Sequence, residues 1–118
     1  MIQSDIFRAY DIRGKVNEDF FPPDAYAIGL VIGNKLLSRR RKQILIGRDG
    51  RLSSPEIKQH LLMGLLDSGC DVIDLGLTPT PITYFATKQL SIPDAVIVTA
   101  SHNPGHYNGI KMVIDNAP

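Results

Sequence analysis

Three short apolar runs alternate with two amphipathic segments along this chain, and that alternation narrows the fold more than any other feature. Ile44-Leu45-Ile46-Gly47, Val72-Ile73-Asp74-Leu75-Gly76 and Ala95 to Thr99 read as strands. Between the first two, Ile57, Leu61, Leu62 and Leu65 repeat at helical spacing, Ser53 or Ser54 supplies the cap, Pro55 and Glu56 fill the first turn, and Gly69 ends the helix. Between the second and third, Thr78-Pro79-Thr80-Pro81 leads into another helix, with Thr80 as cap and Ile82, Phe85, Ala86 and Leu90 facing inward. An earlier helix spans about Asp24 to Ser38, after the break Phe20-Phe21-Pro22-Pro23. Pro23 suits its first position, Ala25, Ile28, Ile32 and Leu36 face the core, and Arg39-Arg40-Arg41-Lys42 closes it at the negative end of its dipole. Phe7 to Ile12 is a short extended piece ending at Arg13-Gly14.

Strand, helix, strand, helix, strand is the pattern of parallel βαβ units. The next strand, Ile110-Lys111-Met112-Val113-Ile114, breaks it. About ten residues separate it from Thr99, and a parallel crossover needs a dozen or more. The fourth strand is therefore expected antiparallel beside the third. The predicted fold is α/β: a three-layer α/β/α sandwich with a mixed four-stranded sheet whose last strand is antiparallel.

A chain of 118 residues suffices for one domain with a core of its own. Its net charge of +1 argues against a nucleic-acid binder. No apolar run approaches the ~18 residues of a membrane span, and the stretch Met1 to Asp5 lacks the basic and apolar parts of a signal peptide. A cytoplasmic protein is expected. The single cysteine, Cys70, reads as a small buried filler and fits no metal-ligand spacing.

Ser101 follows the third strand directly, in Thr99-Ala100-Ser101-His102-Asn103-Pro104. Ligand chemistry in open α/β sheets collects at such strand ends. A hydrolase serine fits poorly, because there is no GxSxG elbow and residues adjacent in sequence, as Ser101 and His102 are, usually point their side chains apart. Two readings remain. The segment is a plain polar turn, or Ser101 carries a phosphate. A phosphoserine bears about −1.5 to −2 charge and needs cations around it. Arg13, Arg48, Arg51, His102 and Lys111 are the candidates, with Asn108-Gly109 read as a tight bend returning Lys111 towards the serine. Each has a plainer reading: Arg13 as a solvated turn residue, Arg48 and Arg51 as a surface loop paired through Asp49, Tyr10 as a strand aromatic and Lys111 as an edge guard. His60 and His106 read as surface residues.

Four motifs, in order, resemble the α-D-phosphohexomutases. They are Phe7-Arg8-Ala9-Tyr10-Asp11-Ile12-Arg13-Gly14, Gly47-Arg48-Asp49, Gly76-Leu77-Thr78-Pro79-Thr80-Pro81, and Thr99 to Pro104 continued by Tyr107-Asn108-Gly109-Ile110-Lys111. The first is similar to the amino-terminal signature of the bacterial phosphomannomutase/phosphoglucomutase branch. The resemblance covers essentially the whole chain and implies the first of four domains, the remaining domains being its partners. It implies a hexose phosphate substrate and phosphoryl transfer through Ser101. A bisphosphorylated sugar of the glucose 1,6-bisphosphate type is the implied intermediate and activator. It further implies that Arg13 and Lys111 stabilise transferring charge, Tyr10 contacts the sugar, and His102 shapes the loop or assists proton transfer. By the same resemblance, Asn103 and Arg48 are expected to support the phosphate loop.

The family's Mg2+ is bound through the phosphoserine oxygen, here Ser101, and an Asp-Gly-Asp-x-Asp loop. This chain has no such loop, and Asp71 and Asp74 do not replace it. The isolated chain is therefore expected to be inactive. The alternatives are a phosphoglucosamine mutase domain, a non-catalytic phosphosugar-binding module, and a folding fragment with apolar surface exposed near Ile110, Met112 and Ile114.

Overall fold

The computed structural model describes residues 7, 8, 11–100 and 103–114. The elements run β1 (Phe7–Arg8), β2 (Asp11–Lys15), α1 (Asp24–Ser38), β3 (Gln43–Arg48), α2 (Ser54–Ser68), β4 (Asp71–Leu77), α3 (Thr80–Gln89), β5 (Ala95–Val98) and β6 (Tyr107–Val113). The four strands expected from sequence form the run β6-β5-β3-β4. β3 pairs parallel with both β4 and β5, and β6 runs antiparallel to β5. The sheet is wider than four strands. The extended amino-terminal piece pairs with itself and with β6, giving a six-stranded sheet of order β1-β2-β6-β5-β3-β4 among the described residues. An extended segment can join an edge wherever a partner is unpaired, and no local pattern marks that choice.

Strand alternation sends side chains to two layers. Ile12, Ile44, Ile46, Val96, Val98 and Ile110 pack against α1 and α2, whereas Leu45, Ala95, Ile97 and Val113 pack beneath α3. The α1 and α2 helices touch backbone to backbone. A Cβ at Gly64 would lie 2.1 Å from the Tyr26 carbonyl, and one at Gly29 would lie 2.5 Å from that of Leu61. Cys70 is buried and free, as expected of a filler.

Three local expectations are corrected. The inward face of α3 is not Ile82, Phe85 and Leu90, which are 53%, 62% and 48% exposed, but Thr83 and Thr87. Their hydroxyls donate back to the carbonyls of Pro79 (3.4 Å) and Tyr84 (2.7 Å), so threonine can face the core without an unpaired polar atom. Ser53 stands at the α2 cap position and Pro79 at that of α3, and neither helix has a side-chain cap hydrogen bond. Ile110 is fully buried, because β6 lies between β2 and β5, whereas Met112 and Ile114 keep part of their surface open while packing against the core. Among the described residues, no helix is long and apolar enough to cross a membrane.

Candidate functional site

The parallel strands β3, β4 and β5 all end on one side of the sheet, and β6 starts there. Arg48-Asp49-Gly50-Arg51, Leu77-Thr78 and Thr99-Ala100 leave from these ends. The segment 103–106 then enters β6. β2 runs alongside β6, with Arg13 opposite Gly109 and Lys15 opposite Tyr107. Gly109 is required at that crossing: a Cβ there would lie 2.0 Å from the Ile12 carbonyl and 2.7 Å from Arg13 Cα.

Ser101, His102 and Tyr10 lie outside the described residues. The residues that flank Ser101 and His102 are described. The Asn103 N–H donates to the Ala100 carbonyl at 3.0 Å, and Arg13 Nη1 donates to Asn103 Oδ1 at 2.8 Å. Arg13, from the amino-terminal strand, thus reaches across ninety positions of sequence to the rim of the Ser101 segment. Lys111 stands two positions further along β6 than Gly109, opposite Asp11 and Ile97. Strand alternation puts it on the same sheet face as Arg13. Its Nζ sits 5.8 Å from the centre of the Tyr84 ring on α3.

The expected bend at Asn108-Gly109 is absent, since both residues lie inside β6. The chain turns earlier, where the Tyr107 N–H donates to the Pro104 carbonyl at 2.9 Å. Asn108 instead faces the start of α2. Its buried Nδ2 donates to Ser53 Oγ (2.8 Å) and Ser54 Oγ (2.9 Å), and its Oδ1 accepts from the Gly109 N–H (2.9 Å). The serines read as caps therefore tie α2 to β6.

The two arginines after β3 do different things. Arg48 Nη1 donates to the Asp49 carbonyl at 3.2 Å, and its charge acts on Asp74 across in β4. Arg51 holds the loop. Its Nη1 donates to the carbonyls of Pro104 (2.7 Å) and Tyr107 (3.2 Å), while its Nε donates to Asp49 Oδ2 (3.0 Å). Asp49 Oδ1 accepts from Ser54 Oγ (2.5 Å) and from the Arg51 N–H (3.2 Å). Burial pushes the Asp49 carboxyl up, but hydrogen bonds from Ser54, the Arg51 N–H, Thr99 and the Arg51 side chain outweigh it. The group titrates below its ordinary range. Asp74 is lowered in the same way: burial opposes, and Lys58, the Gly76 N–H and the charges of Lys58 and Arg48 prevail.

Sequence reasoning paired Asp49 with one of the arginines but missed Ser53, Ser54 and Asn108 as members of this network. The only local sign was the DGR spacing, which lets a carboxylate meet the N–H two residues on. Among the described residues no three His, Cys, Asp or Glu side chains gather into a metal-binding group. Asp74 is committed to Lys58 Nζ at 2.6 Å. The described residues by themselves do not fit a magnesium site, whose oxygen ligands must come largely from protein carboxylates, substrate phosphate and water.

Fold and site together define an α/β/α domain in which Arg13 and Arg51 reach the segment 103–107 at the strand ends. Residues 4–118 match the phosphoglucomutase/phosphomannomutase α/β/α domain I. A phosphomannomutase/phosphoglucomutase of Pseudomonas syringae pv. tomato is 51% identical over 92% of this chain and 23% of its own. A phosphoglucomutase of Neisseria gonorrhoeae is 45% identical over 96% of this chain and 25% of its own. The crystal structure of a phosphoglucomutase/phosphomannomutase family protein from Burkholderia thailandensis superposes with a TM-score of 0.91 at 40% identity, covering 99% of this chain and 27% of that one. The chain belongs to the phosphoglucomutase/phosphomannomutase family of α-D-phosphohexomutases, and it spans about a quarter of the length of the curated relatives it matches.

Proposed function

We propose that this chain is the phosphoserine-bearing first domain of a four-domain cytoplasmic phosphohexomutase that interconverts the 1- and 6-phosphates of mannose or glucose. The observation that carries the proposal is the reach of Arg13 to Asn103, which sets a guanidinium from a distant strand beside the segment containing Ser101. In the proposed cycle a free sugar hydroxyl attacks the phosphorus of phospho-Ser101. The new sugar O–P bond forms as the serine O–P bond breaks, and the hydroxyl proton passes through His102 or water to the departing serine oxygen. The bisphosphorylated sugar, of the glucose 1,6-bisphosphate type, turns over and returns its other phosphoryl group to Ser101. Such transfers depend on positioning and charge stabilisation rather than on covalent assistance.

In this reading Arg13 and Lys111 steady the transferring group, Tyr10 meets the sugar, and Asn103 and Arg48 support the phosphate loop. Magnesium, if the full-length protein uses it, draws its remaining ligands from domains beyond residue 118. The 118 residues alone then turn over negligibly in a coupled mutase assay. The names of the relatives divide between glucose and mannose, so substrate profiling of the full-length protein decides preference.

The test is Ser101→Ala in the full-length protein, with intact mass of the unmodified form. The reading expects one phosphate mapped to Ser101 and loss of most activity in the variant. Wild-type turnover by Ser101→Ala overturns it, and phosphosugar binding that survives without any phosphoserine favours a non-catalytic binding module instead.

A further inference from the structure

We propose that Arg51 is a positioning residue: its guanidinium, aimed by Asp49, clamps the turn that follows Ser101 and so sets where the serine segment stands relative to Arg13. The inference rests on the phosphohexomutase reading for its catalytic consequence and on geometry alone for its structural one.

Four observations converge. The two carbonyls that Arg51 grips, Pro104 and Tyr107, are the first and last residues of one turn, which the Tyr107 N–H closes on Pro104. The same turn is tied to β2 by the Val16 N–H donating to the His106 carbonyl at 2.9 Å, and the residue before it, Asn103, carries the contact with Arg13. Arg51 is itself held, since its side chain is only 13% exposed and its Nε lies 3.0 Å from Asp49 Oδ2. Asp49 is anchored in turn by Ser54, whose hydroxyl also receives Asn108 from β6. The clamp thus closes a ring through β3, α2, β6 and the loop.

A planar guanidinium can serve a carboxylate through one nitrogen and two carbonyls through another, whereas a single ammonium cannot span those acceptors. Arg51→Lys keeps the charge and removes the span. In-line phosphoryl transfer is sensitive to displacements of about 1 Å, so a loosened turn is expected to act on the transfer step rather than on substrate capture.

The experiment has two arms. In the full chain, amide hydrogen exchange of Asn103, Tyr107 and Val16 reads the turn, and the Leu45 amide, which donates to Asp94, reads the distant sheet. Arg51→Lys is expected to speed exchange at the first three by about tenfold and leave Leu45 unchanged. Asp49→Asn is expected to speed the same three by more than it speeds Leu45, whose rise reads only that variant's global loss of stability, and the double variant to be no worse in the turn than either alone. Unchanged exchange in the turn, or an equal rise at all four amides, overturns the clamp. In the full-length protein, Arg51→Lys is expected to lower kcat about tenfold with KM within about twofold. Loosened exchange with unchanged kcat overturns the positioning role. The Ser101→Ala result is read separately, so failure of the mutase reading leaves the exchange result standing.

Discussion

Two arginine–aspartate pairs sit at opposite ends of the parallel strands, at the same 3.0 Å separation, and they hold different things. At the entry end, Arg41 meets Asp94, which is fully buried and immediately precedes β5. The Asp94 carbonyl accepts the Leu45 N–H, so this pair ties the starts of β3 and β5 together. At the exit end, Arg51 meets Asp49, whose side chain is 26% exposed, and the pair ties one loop to another. The same chemistry serves the framework where the acid is sealed, and the site where water still reaches it. The buried member is costly to orphan, whereas the half-open pair can tune a loop without endangering the fold.

The largest effect is expected at the sealed pair. Arg41→Met takes the guanidinium away from the buried Asp94 carboxylate and should cost about 3–5 kcal/mol, read as a lower urea midpoint with the slope unchanged. A loss no greater than that of a surface substitution would erase the contrast. The half-open pair should show itself in pH dependence. The Asp49 carboxyl titrates lower in the folded protein than in the unfolded chain, so its contribution is present above the unfolded value, about 3.9, and is lost as pH falls through the folded value. Asp49→Asn should therefore be less stable than the parent at neutral pH, and the gap should narrow below about pH 4. A gap that stays constant with pH would show that Asp49 acts through packing alone. The smallest effect is expected at the exposed pair Lys42–Asp71, 4.0 Å apart with both side chains about two-thirds exposed. Lys42→Ala should leave the urea midpoint within error, as solvent-screened pairs usually do.

Much of the framework could be read from local pattern. The span of α1, the order of elements and the reversal of β6 follow from periodicity and from a connection too short for a crossover. The phase of α3 could not, because threonine counts as polar in any pattern yet buries cleanly once its hydroxyl bonds its own helix. For the site, Arg13 stood out at the end of its segment, and its contact with Asn103 is non-local. Arg48 and Arg51 are indistinguishable in the string Arg48-Asp49-Gly50-Arg51, and only the course of the 103–107 turn separates their tasks. Ser101, His102 and Tyr10 lie outside the described residues, so their roles rest on the motif resemblance and the tests above.

What the amino-acid order determined by itself is everything set by short range: where strands and helices run, where glycine and proline stop them, and which loop carries the serine. What tertiary structure alone decided is partnership: the amino-terminal strands on the edge of β6, the threonine face of α3, and the guanidinium that closes over the turn. Periodicity and loop length act between neighbours in the chain, whereas hydrogen-bond partners are chosen among groups that only folding brings within 3 Å or so.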